Sequence, residues 1–429
     1  MKDNTKVPLF VRNRKKLTEK MLPFSAVAIQ SADQMPRNGD QFFPFRQSSD
    51  FYYFTGIRQE KSIMVLCPDH PDRSRREMLF ILPACKETEV WDGKKLSPEV
   101  ASRISGISQV FPLNLYDSRL HEVMLHSRHI YLNGVMHYRG PDELLSRDER
   151  FARLLLEKYP LHKPEPLAPV ISELRLQKEG EELEWIRKAC AITSGILHHL
   201  LRVIKPGVPE YVIEAEMTRE CLVRGAEGHA FLPVVASGDN ACVLHYQANR
   251  DLCRDGELVL LDFGAEYNLY ASDCSRTVPV NGRFTSRQRE LYRSVLKIYR
   301  EAVSLLIPGA TLEEVNRELQ ALWEEEHIRL GLYTGKDLKN QDPARPLYRK
   351  YFPHGISHFM GLDVHDPGGR HIVLKEGMVL TCEPGIYIPE EGVGIRLEND
   401  LLITPEGNEN LMDGTAIEPE EIENLMNKD

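Results

Sequence analysis

None of the eight cysteines in this chain stands at Cys-x-x-Cys spacing from another. The nearest two, Cys242 and Cys253, are eleven residues apart, which argues against a zinc ribbon or a thioredoxin-like redox site. Most sit among apolar neighbours and read as reduced thiols in the core of a cytoplasmic protein. Long apolar runs are missing as well. No stretch reaches the roughly 18 residues of a membrane helix. Residues 1–30 carry Lys and Arg without an apolar segment of signal-peptide length, so a cytoplasmic location and no membrane partner are expected. Basic charge is not in excess. Lys and Arg total 54 against 64 Asp and Glu, a net charge of −10, which disfavours nucleic acid and anionic lipid as partners. What is present suits a globular chain of two or three domains: 429 residues, 42% hydrophobic and 28% charged.

Segments rich in Val, Ile, Leu and Phe at Phe24–Gln30, Ser62–Cys67 and Met78–Pro83 read as buried strands. Asp117–His126 and Asp142–Lys158 read as helices, the second opened by Pro141 and Asp142. Pro160–Pro169 holds four prolines in ten residues and reads as a linker. The domains are therefore expected at 1–172 and 173–429, the second starting with a long amphipathic helix over Gly180–Arg202.

The second domain repeats itself. Gly256-Glu-Leu-Val-Leu-Leu-Asp262-Phe-Gly264 matches Gly377-Met-Val-Leu-Thr-Cys-Glu383-Pro-Gly385 at an offset of 121. His245 precedes Arg250 by five residues, and His365 precedes Arg370 by five. Pro206-Gly207 and Pro308-Gly309 each introduce a helical segment. Two related halves with one acid each predict a pseudo-symmetric domain whose site lies on the pseudo-axis. Each acid also has a local partner. A hairpin centred between Tyr267 and Asn268 sets Asp262 opposite Asp273. One centred on Glu390-Glu391 sets Glu383 opposite Glu398. Facing carboxylates about 5 Å apart repel, so two such pairs beside apolar strands call for cations.

His354-Gly-Ile-Ser-His358-Phe-Met-Gly-Leu-Asp-Val-His365-Asp packs three histidines into twelve residues with interleaved glycines, as where backbone approaches a ligand. One imidazole with four carboxylates makes a hard set suited to Mn²⁺, Co²⁺, Fe²⁺ or Zn²⁺. Two divalent ions would balance the four negative charges and activate water for attack. Tyr387 and Arg396 lie beside these acids, and Arg396 reads as a partner of two of them, Asp273 and Glu398. Cys274 and Cys382 flank them on the opposite strand face and carry no expected role.

These motifs resemble the pita-bread metallopeptidases, which include methionine aminopeptidase, prolidase and aminopeptidase P. The resemblance implies an α/β N-terminal domain plus an α+β pita-bread catalytic domain with a pseudo-twofold internal repeat. It implies five ligands, Asp262, Asp273, His358, Glu383 and Glu398, holding two divalent ions, Mn²⁺ foremost. By the same resemblance His358 rather than His354 is the ligand. Glu383 manages the proton, and His245 and His365 steady the substrate and the developing oxyanion. His354, Tyr387 and Arg396 are placed at the substrate. The segment from Arg37 to Gly56 is similar to the N-terminal domain of aminopeptidase P, although its aromatic run Phe51–Phe54 reads as core. That domain implies a homodimer or homotetramer and capping of a neighbour's cleft, with Trp91 of Val90-Trp91-Asp-Gly93 reaching it. The expected activity is release of the first residue from peptides with proline second. The alternatives are a Xaa-Pro dipeptidase, a non-catalytic peptide-binding protein of the same fold and a dinuclear phosphoesterase. The last would want Arg or Lys near the metals.

Overall fold

A computed structural model describes residues 7–134 and 146–428. The chain divides into two compact units, Met1–Leu174 and Arg175–Asp429.

The first unit is built on a six-stranded sheet in the order Val110–Pro112, Glu77–Ile81, Ile63–Leu66, Ser25–Gln30, His129–Leu132, Lys163–Pro166. Ser25–Gln30 is buried at all six positions, as a central strand covered on both faces must be. It pairs antiparallel with Ile63–Leu66 and parallel with His129–Leu132. The three strands read from hydrophobic runs all form. The proline-rich stretch, expected as a linker, contributes the strand Lys163–Pro166, parallel to His129–Leu132. It lies at the sheet edge, where Pro164 and Pro166 cost no ladder bond on the open side. The helix expected from Asp142 is Arg147–Lys158, with Ser146 and Glu149 forming a reciprocal capping box. Residues 142–145, its expected first turn, lie outside the described residues. Phe51–Phe54 is core, on the helix Ser49–Thr55.

The second unit shows the repeat in its hydrogen bonds. In the first half the helices Gly180–Val203 and Glu210–Val223 precede the strands Val234–Ser237, Leu258–Phe263 and Cys274–Pro279. In the second, Ser286–Leu305 and Leu312–Arg329 precede Val379–Cys382, Gly385–Ile388, Val393–Arg396 and Asn399–Thr404. Gly207 N donates to Cys253 O at 2.8 Å, and its counterpart Gly309 N donates to Leu374 O at 2.9 Å. Both glycines have left-handed φ, 87° and 92°, a conformation open to a residue without Cβ. The halves meet where Glu398 N donates to Ser275 O at 3.0 Å and Arg396 N to Thr277 Oγ1 at 3.1 Å. Arg276, fully buried, reinforces this crossing by donating Nη1 to Ser275 O and Glu398 O. One hydrophobic core runs through both halves, from Ile192 to Ile422. All eight cysteines are free, and among the described residues no helix is long and apolar enough to cross a membrane.

Candidate metal centre

Asp262 is the penultimate residue of the strand Leu258–Phe263, whose apolar residues anchor it in the core. It pairs with Ser275, not with Asp273. The turn centres one residue later than expected, because Asn268 and Leu269 both adopt positive φ, 51° and 63°, and close a tight hairpin between Tyr267 and Tyr270. Asp273 therefore sits two residues from Asp262's partner, on the same face and diagonal to it. In the second half the register meets the expectation. Gly385↔Arg396 on one side and Cys382↔Asn399 on the other bring Glu383 and Glu398 to facing positions. The glycine two residues after each acid permits the close approach. A Cβ on Gly264 would lie 1.7 Å from Ser272 O, and one on Gly385 would lie 2.7 Å from the Tyr387 hydroxyl.

His358 lies on an irregular segment held against Thr381–Glu383. Thr381 N donates to His358 O at 2.9 Å, and Glu383 N to Ile356 O at 2.8 Å. His358 Nδ1 faces Phe359 O at 3.1 Å, which leaves the Nε2 lone pair toward the acids. That atom is 3.5 Å from Asp273 Oδ2 and 4.0 Å from Glu383 Oε1. Ligand atoms of Asp273, His358 and Glu398 all lie within 4.8 Å of one another.

The electrostatics explain what such a cluster needs. Burial, then Glu398, pushes Glu383 up to about 8. Burial raises Asp273 and Glu398 well above the carboxylate range, with Asp262 adding to both. Asp273 Oδ1 is buried without a hydrogen-bond partner. Crowded acids, an unmatched carboxylate oxygen and an imidazole lone pair fit divalent cations, which would restore the charged forms.

Around this set the structure brings together His354, Tyr387 and Arg396. Arg396 donates to Asp262 Oδ2, to Ser275 Oγ at 2.8 Å and to the Tyr387 hydroxyl at 2.8 Å. Its carboxylate contact is thus Asp262, while Glu398 Oε2 lies 3.9 Å away and accepts instead from Ser275 Oγ at 2.6 Å. Because Arg396 only donates, the Tyr387 hydroxyl donates its hydrogen bond to His354 Nε2, 2.8 Å away. Burial and the neighbouring Arg396, with His358 and His245, push His354 down to about 3, so it is a neutral ring at pH 7. His365 is exposed and stacks on His358, ring centroids 4.1 Å apart. His245 is exposed, on the segment that follows Gly238–Cys242. Trp91 belongs to the other unit, at the end of the short helix Lys86–Asp92, and is 87% exposed. Cys274 and Cys382 are buried, with thiols pushed up by burial, as inert core cysteines are.

Several supporting residues escaped the sequence reading. Asp400 Oδ2 accepts from Asp273 N at 2.9 Å and from Cys190 Sγ at 3.3 Å. Its one sequence signal is its place two residues past Glu398 on the same strand face. Asp366 is fixed by Arg175 Nη2 at 2.5 Å and Lys178 Nζ at 3.1 Å, which anchors the loop bearing His365. Nothing local announces that pair of cations.

Residues 184–405 match metallopeptidase family M24, and residues 10–131 match the aminopeptidase P N-terminal domain. The chain is 36% identical over 439 residues to Xaa-Pro aminopeptidase of Escherichia coli K12, covering 97% of each. Zinc-substituted E. coli aminopeptidase P in complex with product superposes with a TM-score of 0.87 at 35% identity, covering 98% of both chains. Proline aminopeptidase P II from Yersinia pestis does so with a TM-score of 0.87 at 33% identity, covering 98% of this chain and 99% of that one. With the M24 match spanning the repeat and all five candidate ligands, and the relatives covering nearly the whole length, the chain belongs to metallopeptidase family M24, in its aminopeptidase P group.

Proposed function

We propose that this chain is a Xaa-Pro aminopeptidase, a metal-dependent exopeptidase that releases the N-terminal residue from peptides with proline second. The observation that carries the reading is the cluster of Asp273, Glu398 and the His358 imidazole, with Glu383 beside it, in a chain 36% identical along 97% of its length to a Xaa-Pro aminopeptidase. Two divalent ions, Mn²⁺ foremost, would be held by Asp262, Asp273, His358, Glu383 and Glu398. They would supply an activated water at neutral pH and polarise the scissile carbonyl. Glu383 takes the proton of the attacking water and delivers it to the proline nitrogen, which must be protonated to leave. His245 and His365 hold the substrate and the oxygen that gains charge. Arg396 and Tyr387 orient Asp262 and His354, and Asp262 and His354 in turn face the substrate and the ions. The Xaa-Pro amide has no N–H, so the site need offer no acceptor there.

The N-terminal domain, residues 1–172, is assigned to oligomer formation, a homodimer or homotetramer, and to capping a neighbour's cleft with Trp91. The residue match and the exposure of that ring support this. A cytoplasmic location is assigned on the likeness to the bacterial Xaa-Pro aminopeptidase.

The test is kcat/KM on Ala-Pro, Ala-Pro-Ala and Ala-Ala-Ala with Mn²⁺ present. Ala-Pro-Ala should be the best of the three, and replacing its proline by alanine should cost about 1–3 kcal/mol in transition-state binding. If Ala-Pro leads, the chain is a dipeptidase. If Ala-Ala-Ala matches Ala-Pro-Ala, proline selectivity fails.

A further inference from the structure

The helix Glu210–Val223 opens on a carboxylate that none of the chemistry above uses. Glu210 is fully buried, and its two oxygens accept five hydrogen bonds, all from neutral donors. Oε1 accepts from Ser237 N and Ser237 Oγ, both at 2.8 Å, and from Asn240 Nδ2 at 3.2 Å. Oε2 accepts from the Tyr246 hydroxyl and from Asp251 N, both at 2.9 Å. An acceptor-only carboxylate suits five donors, and bonds to a charged acceptor are stronger than neutral ones. The helix N-terminus also favours negative charge at this position.

The partners are not scattered. Ser237 and Asp251 stand at the two ends of one segment, Asn240 and Tyr246 lie inside it, and His245 is the residue beside Tyr246. The segment has little regular structure of its own beyond the short turn of helix Gly238–Cys242. Its far side rests on the other half of the repeat, where Cys242 Sγ reaches Val393 O and Ala241 O comes within 2.1 Å of where a Cβ on Gly394 would stand. One turn along the helix, Glu214 Oε2 accepts from Asn249 Nδ2 at 3.0 Å and grips the same segment again. The second half keeps only the outer grip: Asn316, 102 positions beyond Glu214, accepts from Ile356 N at 3.1 Å, whereas Leu312 stands 102 positions beyond Glu210, so the buried carboxylate belongs to the first half.

We infer that Glu210 is the positioning residue of His245: a buried carboxylate that folds residues 238–251 around itself and so sets where the imidazole stands. The inference rests on the role proposed above for His245. A residue that only supports the fold depresses activity whatever occupies position 245. A residue that acts through His245 loses its effect once the imidazole is gone.

The experiment uses the metal-loaded full chain with Ala-Pro-Ala and a double-mutant cycle. Glu210→Gln keeps the shape and turns an amide toward Tyr246 and Asp251 N. Tyr246→Phe removes one donor and leaves the buried acid in place. Glu210→Gln should lower kcat by about tenfold and Tyr246→Phe by a smaller factor, with KM and bound metal unchanged, because a misplaced group costs rate. In a His245→Ala background neither should lower kcat further. An equal loss in both backgrounds, or loss of metal in Glu210→Gln, overturns the inference while His245 keeps its role. If His245→Ala retains full kcat, the reading of His245 fails and takes the positioning role with it. Should Glu210→Gln not fold, Tyr246→Phe carries the same cycle with the same two outcomes.

Discussion

Glu398 and His365 look alike as candidates in the sequence, each a polar residue within a glycine-bearing motif, yet they stand in different physical situations. Glu398 is 2% exposed among other acids and accepts from Ser275 Oγ at 2.6 Å, and burial beside Asp273 and Asp262 raises its protonation range, which a cation would reverse. His365 is exposed and touches His358 through its ring face. Glu398→Ala should therefore lose one or both ions, read as bound metal per chain by elemental analysis. His365→Ala should keep them and lose mostly kcat, because a group that meets only the transition state lowers rate without loosening the ions. Equal metal loss in the two variants would show that His365 is misassigned.

At the scale of elements, the legible parts were those whose signal is local. Buried apolar runs announced the strands, and the Pro389-Glu-Glu-Gly392 turn set the register that brings Glu383 to Glu398. The Asp262 hairpin slipped because Leu269, an unfavoured residue for a left-handed position, takes it with φ 63°. Lys163–Pro166 was unreadable because an edge strand needs only one bonded side. The anchoring of Asp366 was beyond reach, since Arg175 and Lys178 lie 191 and 188 residues from it in the chain. The helix Leu312–Arg329 carries another such surprise in His327, fully buried against Trp323, Tyr333 and Tyr351. Burial pushes its imidazole down to about 4. The unfolded chain takes up a proton near pH 6.5, whereas the folded chain resists until about 4. Its contribution is complete above pH 6.5 and drains away as pH falls toward 4. Between pH 7 and pH 5 this group should remove roughly 2 kcal/mol of stability. His327→Phe should flatten that part of the profile in denaturant unfolding. An unchanged slope would show that the imidazole is charged in the folded state.

For the whole molecule, the proposed ions would be structural as well as chemical. Four carboxylates drawn from two strand pairs repel until cations join them, so metal binding adds to folding stability by mass action. At free metal 100 times its Kd, each ion contributes about 2.7 kcal/mol. Chelation should abolish cleavage of Ala-Pro-Ala and lower the melting temperature together, and re-addition of Mn²⁺ should restore both. Full activity in the stripped protein would refute the metal centre. The crossing of the halves at Ser275 and Glu398 has a further effect on the life of the chain. The five candidate ligands span residues 262 to 398, and each half holds only part of the set. While the chain is being made, the proposed ligand set stays incomplete until Glu398 has emerged and the second half has closed on the first, so activity should appear only after synthesis of both halves.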